Sequence, residues 1–92
     1  MDLNKIYKDW NARGFTCDEW VDPPGQQWLN YVHKTDELLM VIEGKLSLEI
    51  NGQENEALPG KEFFIAAHTI HNVKNSGENT VRWLYGYKKQ SK

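Results

Sequence analysis

The spacing of large apolar residues changes once along this chain, at Gly14. Before that residue, Leu3, Ile6 and Trp10 recur every three or four positions, the interval that brings side chains onto one face of a helix. We therefore predict an amphipathic helix over residues 2–12, which packs on the rest of the fold through this face.

Beyond Gly14 apolar and polar residues alternate, and turn sequences interrupt the alternation about every eight to twelve residues. This cadence is typical of an all-β sandwich or barrel. The clearest hairpin signal is Asn51-Gly52, because both residues tolerate the positive φ that a type I′ turn requires. The predicted strands are 15–21, 26–33, 37–43, 45–51, 61–66, 70–75 and 80–88.

Length and charge limit the organisation and the partners that we expect. At 92 residues the chain is predicted to be one domain, 1–92, with a helix and lead-in over 1–14, a barrel over 15–88 and a tail over 89–92. The formal net charge is −2, too weak a field to attract nucleic acid or an anionic membrane. No apolar run approaches the roughly 20 residues of a membrane helix. We expect neither nucleic acid nor membrane as a partner.

The cysteine count and the N-terminus bear on the compartment. Cys17 is the single cysteine, so no internal disulfide can form. Charged residues interrupt the first apolar positions, unlike the apolar core of a secretion signal. We therefore expect a cytoplasmic protein, in which Cys17 is a small buried apolar group.

Alternation along the predicted strands places several titratable groups inside the fold. His71 falls on the inward face of its strand, and His33 and Tyr31 share a face with Leu29. Glu37 opens an apolar run. A buried carboxylate is costly unless it is paired, hydrogen-bonded or bound to a cation, so something must compensate Glu37.

Two imidazoles and one carboxylate, from His33, His71 and Glu37, also make up the donor set that binds zinc or non-haem iron with coordination positions left open. Hydrogen bonds within the protein would compensate the same carboxylate. The residues alone leave both explanations open.

Two longer motifs carry a resemblance to the cupins. The first cupin motif is G-x5-H-x-H-x3-E-x6-G, and the stretch "GQQWLNYVHKTDELLMVIEG" follows its spacing without an insertion. It places Gly25, His33, Glu37 and Gly44 in register. Tyr31 stands where the first histidine of the motif would be.

The second cupin motif is G-x5-P-x-G-x2-H-x3-N, and "GKEFFIAAHTIHNVKN" follows it. Gly60, His71 and Asn75 are in register. Ala66 replaces the proline and His68 replaces the glycine, so three of the four ligand positions of the two motifs are kept.

The resemblance is to small single-domain cupins of the conserved-barrel type. It implies a small double-stranded antiparallel β-barrel, jelly-roll-like, with the short helix at its N-terminus. It also implies a divalent metal ion (zinc, iron, manganese or nickel) held by His33, Glu37 and His71, and a homodimer. The expected ligand or substrate is a small organic molecule inside the barrel.

The departures from the motifs suggest further roles. Phenols ionise far above neutral pH in water, so Tyr31 could be a fourth metal ligand only if the metal displaced its proton. It could also donate a hydrogen bond to a metal-bound water or substrate, or simply pack. His68, in the loop before the last ligand strand, could act as a general acid or base, or be solvated.

Three functions follow from this reading. The first is a metal-dependent enzyme of the oxygenase, isomerase or hydrolase type. The second is a non-catalytic module that binds a small ligand, and the third is a scaffold dimer with a vestigial metal site.

Other residues are given simpler interpretations. The segment "DPPG", residues 22–25, is interpreted as a turn without chemistry. Four aromatic residues are assigned to the core, to a dimer face or to a ligand cavity: Trp28, Trp83, Tyr85 and Tyr87.

Overall fold

Residues 1–89, which the computed structural model describes, form one helix followed by eight strands. Of the predicted tail 89–92, only Lys89 lies among the described residues. The bounds of the helix and the strands are α1 Leu3–Ala12, β1 Asp18–Asp22, β2 Gln27–Tyr31, β3 Glu37–Glu43, β4 Leu46–Ile50, β5 Gln53–Ala57, β6 Glu62–Ile65, β7 His71–Lys74 and β8 Val81–Tyr87. Within these residues, no helix combines the length and the apolarity that crossing a membrane requires.

The strands form two four-stranded sheets with antiparallel pairing, in the orders β1-β8-β3-β6 and β2-β7-β4-β5. The predicted all-β double-stranded barrel with a short N-terminal helix is confirmed. Apolar side chains from both sheets fill the space between them. The buried ones are Leu39, Val41, Leu46, Leu48, Ala57, Phe63, Ile65, Val73, Val81 and Trp83.

The strand β5 was missed by the sequence pattern. Its residues, "QENEA", lack the apolar alternation that identifies a strand. They extend because the turn before them directs them back along β4, with which they pair over their whole length. The predicted hairpin at Asn51-Gly52 is confirmed, since φ is 50° at Asn51 and 83° at Gly52.

A bulge in β2 changes which side chains face inward. The register with β7 shifts between Trp28 and Tyr31, where Asn30 has a φ of 60°. Trp28 and Tyr31 therefore lie on the same side, with ring centroids 6.0 Å apart, and Leu29 is exposed. The prediction that Leu29 shares the inward face of Tyr31 is wrong, because the extra residue breaks the strict alternation.

The helix α1 covers the outer side of the sheet that contains β3 and β8. As predicted, it packs through Leu3, Ile6 and Trp10; the surfaces that it meets are those of Phe15, Leu38, Met40 and Leu84. This packing gives the outer face of one sheet its own small core.

Polar contacts fix the position of the helix on β6. The indole N–H of buried Trp10 donates to Glu62 at 3.0 Å, and Arg13 donates to both oxygens of Glu62 at 2.9 and 2.8 Å. The guanidinium of Arg13 keeps the pKa of Glu62 below its ordinary value. At the other end, Asp2 caps the helix by accepting from the backbone N–H of Lys5.

Gly86 on β8 leaves the space that the chain before β1 needs. A Cβ at this position would overlap the carbonyl oxygen of Thr16 and lie 3.0 Å from Cε3 of Trp10. We expect Gly86→Ala to lower the free energy of unfolding by about 2–3 kcal/mol, the usual cost of overpacking. Chemical denaturation measures this loss. The control is Gly77→Ala, whose Cβ would lie 3.6 Å from Oδ1 of Asn75, an ordinary van der Waals distance. Equal losses in the two variants would contradict the explanation.

Candidate metal centre and aromatic pocket

Three potential metal-binding side chains converge between the two sheets. His33 lies in the loop after β2, Glu37 is the first residue of β3 and His71 is the first residue of β7. Oε1 of Glu37 lies 3.3 Å from Nε2 of His71 and 3.5 Å from Nε2 of His33. One donor atom from each residue lies within 4.8 Å of the others. The structure therefore brings together the three residues that the motif spacing singled out.

The carboxylate of Glu37 is buried, with 3% of the residue exposed. Its Oε1 atom has no hydrogen-bond partner among residues 1–89, although Nε2 of His71 lies 3.3 Å away and Nε2 of His33 lies 3.5 Å away. An unpaired buried carboxylate oxygen is costly. Donor atoms that approach one another without sharing a hydrogen bond are the arrangement expected around a common cation.

The orientation of His71 is fixed by the backbone. Its Nδ1 atom lies 3.1 Å from the carbonyl oxygen of Thr69. A carbonyl can only accept, so Nδ1 carries the proton, and the lone pair of the neutral ring is on Nε2. That lone pair is close to Oε1 of Glu37, and two acceptors so placed repel each other unless a proton or a metal ion lies between them.

Opposing influences act on the pKa of His71. Burial lowers this pKa, but the polar contact with Glu37, the contact with the carbonyl of Thr69 and the charge of Glu37 together raise it above the ordinary 6.5. Without a metal, a proton is therefore the species that relieves the repulsion at this point.

Tyr87 is a site residue to which the sequence interpretation gave no chemical role. Its hydroxyl lies 3.4 Å from Nε2 of His33, and the two rings meet edge to face with centroids 4.9 Å apart. Burial, then the charge of Glu37, raises the pKa of Tyr87 to about 12. Tyr87 therefore keeps its proton at neutral pH and can donate a hydrogen bond next to the candidate ligands. Its place at the end of β8 carried no motif that could have identified it.

Tyr31 and His68 occupy different positions relative to this cluster. The ring of Tyr31 lies 6.0 Å from that of His33 and 6.4 Å from that of His71, so it faces the cluster. The side chain of His68 is exposed and does not line the pocket; its backbone N–H donates to the carbonyl of His33 at 2.7 Å. The loop thus holds His33 in place, while acid–base catalysis by His68 stays a prediction.

A cavity of about 210 Å³ opens from the cluster toward the surface. Besides the cluster and Val73, its walls are aromatic, and we call these six side chains the aromatic collar: Trp20, Trp28, Tyr31, Trp83, Tyr85 and Tyr87. The cavity is smaller than the roughly 300–1,000 Å³ of pockets for drug-sized ligands. It suits a small organic molecule.

Asp22 organises three indoles of the collar. It is 1% exposed, and its carboxylate accepts hydrogen bonds from the indole N–H groups of Trp20 at 2.9 Å, Trp28 at 3.1 Å and Trp83 at 3.0 Å. The predicted turn forms directly after Asp22, but Asp22 itself is the last residue of β1 and has a structural role that the sequence interpretation did not give it. The available signal was the number of tryptophans, because buried indole N–H groups need acceptors.

Asn75, the last residue of the second motif, has a structural role. Its side-chain amide donates to the carbonyls of Asp22 at 3.2 Å and Asn79 at 2.9 Å, and its side-chain oxygen accepts from Gly77. Its backbone carbonyl accepts from Gly25 at 2.8 Å. Asn75 therefore ties the turn that follows Asp22 to the loop before β8.

Two facing antiparallel sheets, with two histidines and a carboxylate meeting at an aromatic pocket, define a small β-barrel protein with a candidate metal centre. The family model described as "Cupin domain" matches residues 19–87. The chain belongs to the cupin family.

Solved structures show the same fold. The cupin domain of an XRE family transcriptional regulator from Enterobacter cloacae is 21% identical, with a TM-score of 0.76 over 89% of this chain and 90% of that one. A cupin 2 conserved barrel domain protein from Salinispora arenicola is 17% identical, with a TM-score of 0.74 over 83% of this chain and 64% of that one.

A sugar phosphate isomerase of the cupin superfamily from Silicibacter pomeroyi is 25% identical, with a TM-score of 0.73. The match covers 84% of this chain but 52% of that protein, so the present chain spans about half its length. A comparison with curated proteins finds no match.

Proposed function

We propose that this cupin binds a divalent metal ion through His33, Glu37 and His71 and holds a small organic molecule in the pocket beside it. The observation that carries the proposal is the buried Oε1 atom of Glu37, which has no hydrogen-bond partner among residues 1–89 but two imidazole nitrogens at 3.3 and 3.5 Å. Two ligand atoms of one tetrahedral zinc ion lie about 3.4 Å apart. The donor set and the two distances from Oε1 therefore fit the ion, and the third pair of donors lies within 4.8 Å.

A metal held there would act as a Lewis acid on an oxygen of the bound molecule. The protein would supply the rest. Thr69 keeps His71 in the tautomer that offers Nε2, the hydroxyl of Tyr87 lies beside His33, and the ring of Tyr31 faces the same cluster. Donation by these phenols would orient the bound molecule. Its conversion by oxygenase, isomerase or hydrolase chemistry is the catalytic form of the proposal.

The names of similar structures include both a sugar phosphate isomerase and a domain of a transcriptional regulator. Because one fold serves different functions, the alternative of a non-catalytic ligand-binding module requires the same pocket and differs in the absence of turnover. The enzyme requires the metal, whereas the module could bind its ligand with or without it, so metal binding is the first point to test.

Titration calorimetry with zinc and manganese over a range of pH provides that test. We expect the affinity to rise with pH until it passes the raised pKa of His71 and then to level off, because the metal displaces a proton there. In the metal-free protein, the contribution of His71 to the stability of the fold changes with pH in the opposite direction. A raised folded pKa stabilises the fold below the ordinary value of 6.5, and this contribution is lost as pH rises through the folded value. If neither zinc nor manganese binds at any pH between 6 and 9, the proposal is rejected.

Variants of Tyr31 test the remaining position of the first motif. Tyr31→His is expected to tighten zinc binding by about tenfold or more, because an imidazole binds without first losing a proton. Tyr31→Phe should leave the affinity unchanged if the phenol only donates a hydrogen bond, and weaken it if the phenol is a ligand. Calorimetry on both variants distinguishes these roles. Equal affinities of the wild type and Tyr31→His would mean that residue 31 does not reach the metal.

The homodimer and the cytoplasmic location also belong to this proposal. Large apolar side chains stay exposed on the single chain, which supports a covered face in a dimer: Leu29, Val32, Phe64 and Ile70. The single cysteine supports a reducing compartment. Sedimentation at micromolar concentration tests the dimer.

A further inference from the structure

The aromatic collar and the carboxylate behind it form a second recognition element in the pocket. We propose that the collar binds the cationic head of a small zwitterion, a quaternary or substituted ammonium group, while the anionic end of the same molecule faces the candidate metal ligands. The anionic end rests on the proposed function. The cationic end is argued from the collar itself.

The rings of the collar form two runs of three, Trp20–Trp28–Tyr31 and Trp83–Tyr85–Tyr87. Centroids of four neighbouring pairs lie 5.7–6.1 Å apart, with planes inclined by 54–71°. Trp20 and Trp83, one from each run, are paired across β1 and β8 and both donate to Asp22, which brings the two runs together. Mutually inclined rings around a small space are the surroundings in which a cation meets several π faces at once, each attracting it within about 6 Å of the centroid.

The charge of Asp22 increases the preference for a cation. Both of its oxygens accept indole N–H groups, an arrangement that suits the ionised carboxylate. Hydrogen bonds to an anion polarise the donors, so the indole rings become more electron-rich on their faces. Within residues 1–89, neither Asp22 nor Glu37 has a salt bridge to a lysine or arginine.

The two carboxylates therefore differ in what can compensate their negative charge. A metal ion at the histidines would compensate Glu37, whereas Asp22 accepts the indole N–H groups of the collar and has no positively charged partner among the described residues. A neutral flat ligand would satisfy the aromatic wall but would gain nothing from Asp22. A cationic head gains from both, and the cavity of about 210 Å³ limits the rest of the molecule to a few atoms.

The test compares choline with 3,3-dimethylbutan-1-ol, which has the same shape with carbon in place of the charged nitrogen. Three of the four tryptophans belong to the collar, so tryptophan fluorescence reports binding, and calorimetry confirms it. In metal-free protein we expect choline to bind at least about tenfold more tightly than the neutral alcohol. Equal binding of the two probes, or no binding of choline, would overturn the proposal.

Variants of exposed Trp20 and of buried Asp22 test the cation site without changing the candidate metal ligands. Trp20 is 43% exposed on an edge strand, so its replacement should leave the fold intact. Trp20→Leu is expected to reduce choline affinity about fivefold or more, and Trp20→Phe to retain most of it, because a phenyl ring keeps a π face. Asp22→Asn should reduce the ratio of choline to alcohol affinity in protein that circular dichroism shows to be folded. Unchanged ratios in both Trp20→Leu and Asp22→Asn would overturn the assignment.

Zinc titration of the same samples separates this proposal from the previous one. Zinc binding without choline binding rejects the cation site alone, and choline binding without zinc binding rejects the metal site alone. Trimethylglycine, which adds a carboxylate to the same head, tests the two ends together. We expect zinc to increase its affinity and to leave that of choline the same or lower, since only the zwitterion offers an oxyanion to the metal. An equal effect of zinc on both would overturn the zwitterion.

Discussion

His71→Ala is expected to weaken zinc binding by more than roughly a hundredfold, beyond the loss that follows removal of a group supporting a ligand. The variant leaves only His33 and Glu37 as candidate ligands. It also removes the imidazole ring whose tautomer is fixed by the carbonyl of Thr69. Titration calorimetry on metal-free protein measures the loss. Circular dichroism of the same sample separates it from unfolding.

The control for this change is His68→Asn. His68 is exposed, lies outside the pocket wall and has a φ of 63°, which asparagine tolerates. The zinc affinity of the His68→Asn variant should equal that of the wild type. A similar loss in both variants would show that the loop, and not the imidazole of residue 71, determines the affinity. An unchanged affinity in His71→Ala would remove this residue from the site.

Asp22→Ala is expected to cause the largest loss of stability, about 2–6 kcal/mol, because the indole N–H groups of one buried and one half-buried tryptophan lose their acceptor at about 1–3 kcal/mol each. These are Trp28 and Trp83; the more exposed Trp20 can turn to water. The loss is large against the roughly 5–15 kcal/mol that holds a domain together. Denaturant unfolding followed by tryptophan fluorescence measures it.

Two further substitutions locate the cause of that loss. Asp22→Asn keeps one acceptor oxygen and should lose less than Asp22→Ala. Asp18→Ala removes an exposed carboxylate from the same strand and should change the stability by no more than about 0.5 kcal/mol. Wild-type stability in Asp22→Ala would mean that the three indole hydrogen bonds do not contribute to the fold.

The candidate cluster could be predicted because its spacing is local. His33 and Glu37 are four residues apart, and a motif of fixed length without insertions carries them to the same end of the barrel as His71. The resemblance to the cupins added the pairing of the two motifs, which alternation alone could not supply. The helix was equally readable, because Leu3, Ile6 and Trp10 fall on one face and that face is the one that packs.

The aromatic pocket was not predictable in the same way. Trp20, Trp28 and Trp83 come from three strands and meet only at Asp22, a contact across 61 residues in the case of Trp83. The alternation of the sequence predicted the wrong face for Leu29, because the bulge at Asn30 depends on pairing with β7. Such features arise from the tertiary fold, and no period in the sequence marks them.

The polar sequence of β5, which prevented its prediction as a strand, also affects association between molecules. β5 lies at the edge of its sheet, and Glu54 and Glu56 lie along it. An uncovered edge invites another strand to add to it, and charged side chains there oppose this addition. Growth of the sheet from this edge into fibrils is therefore disfavoured, and charge-neutral substitutions at these two glutamates would favour aggregation without altering the pocket.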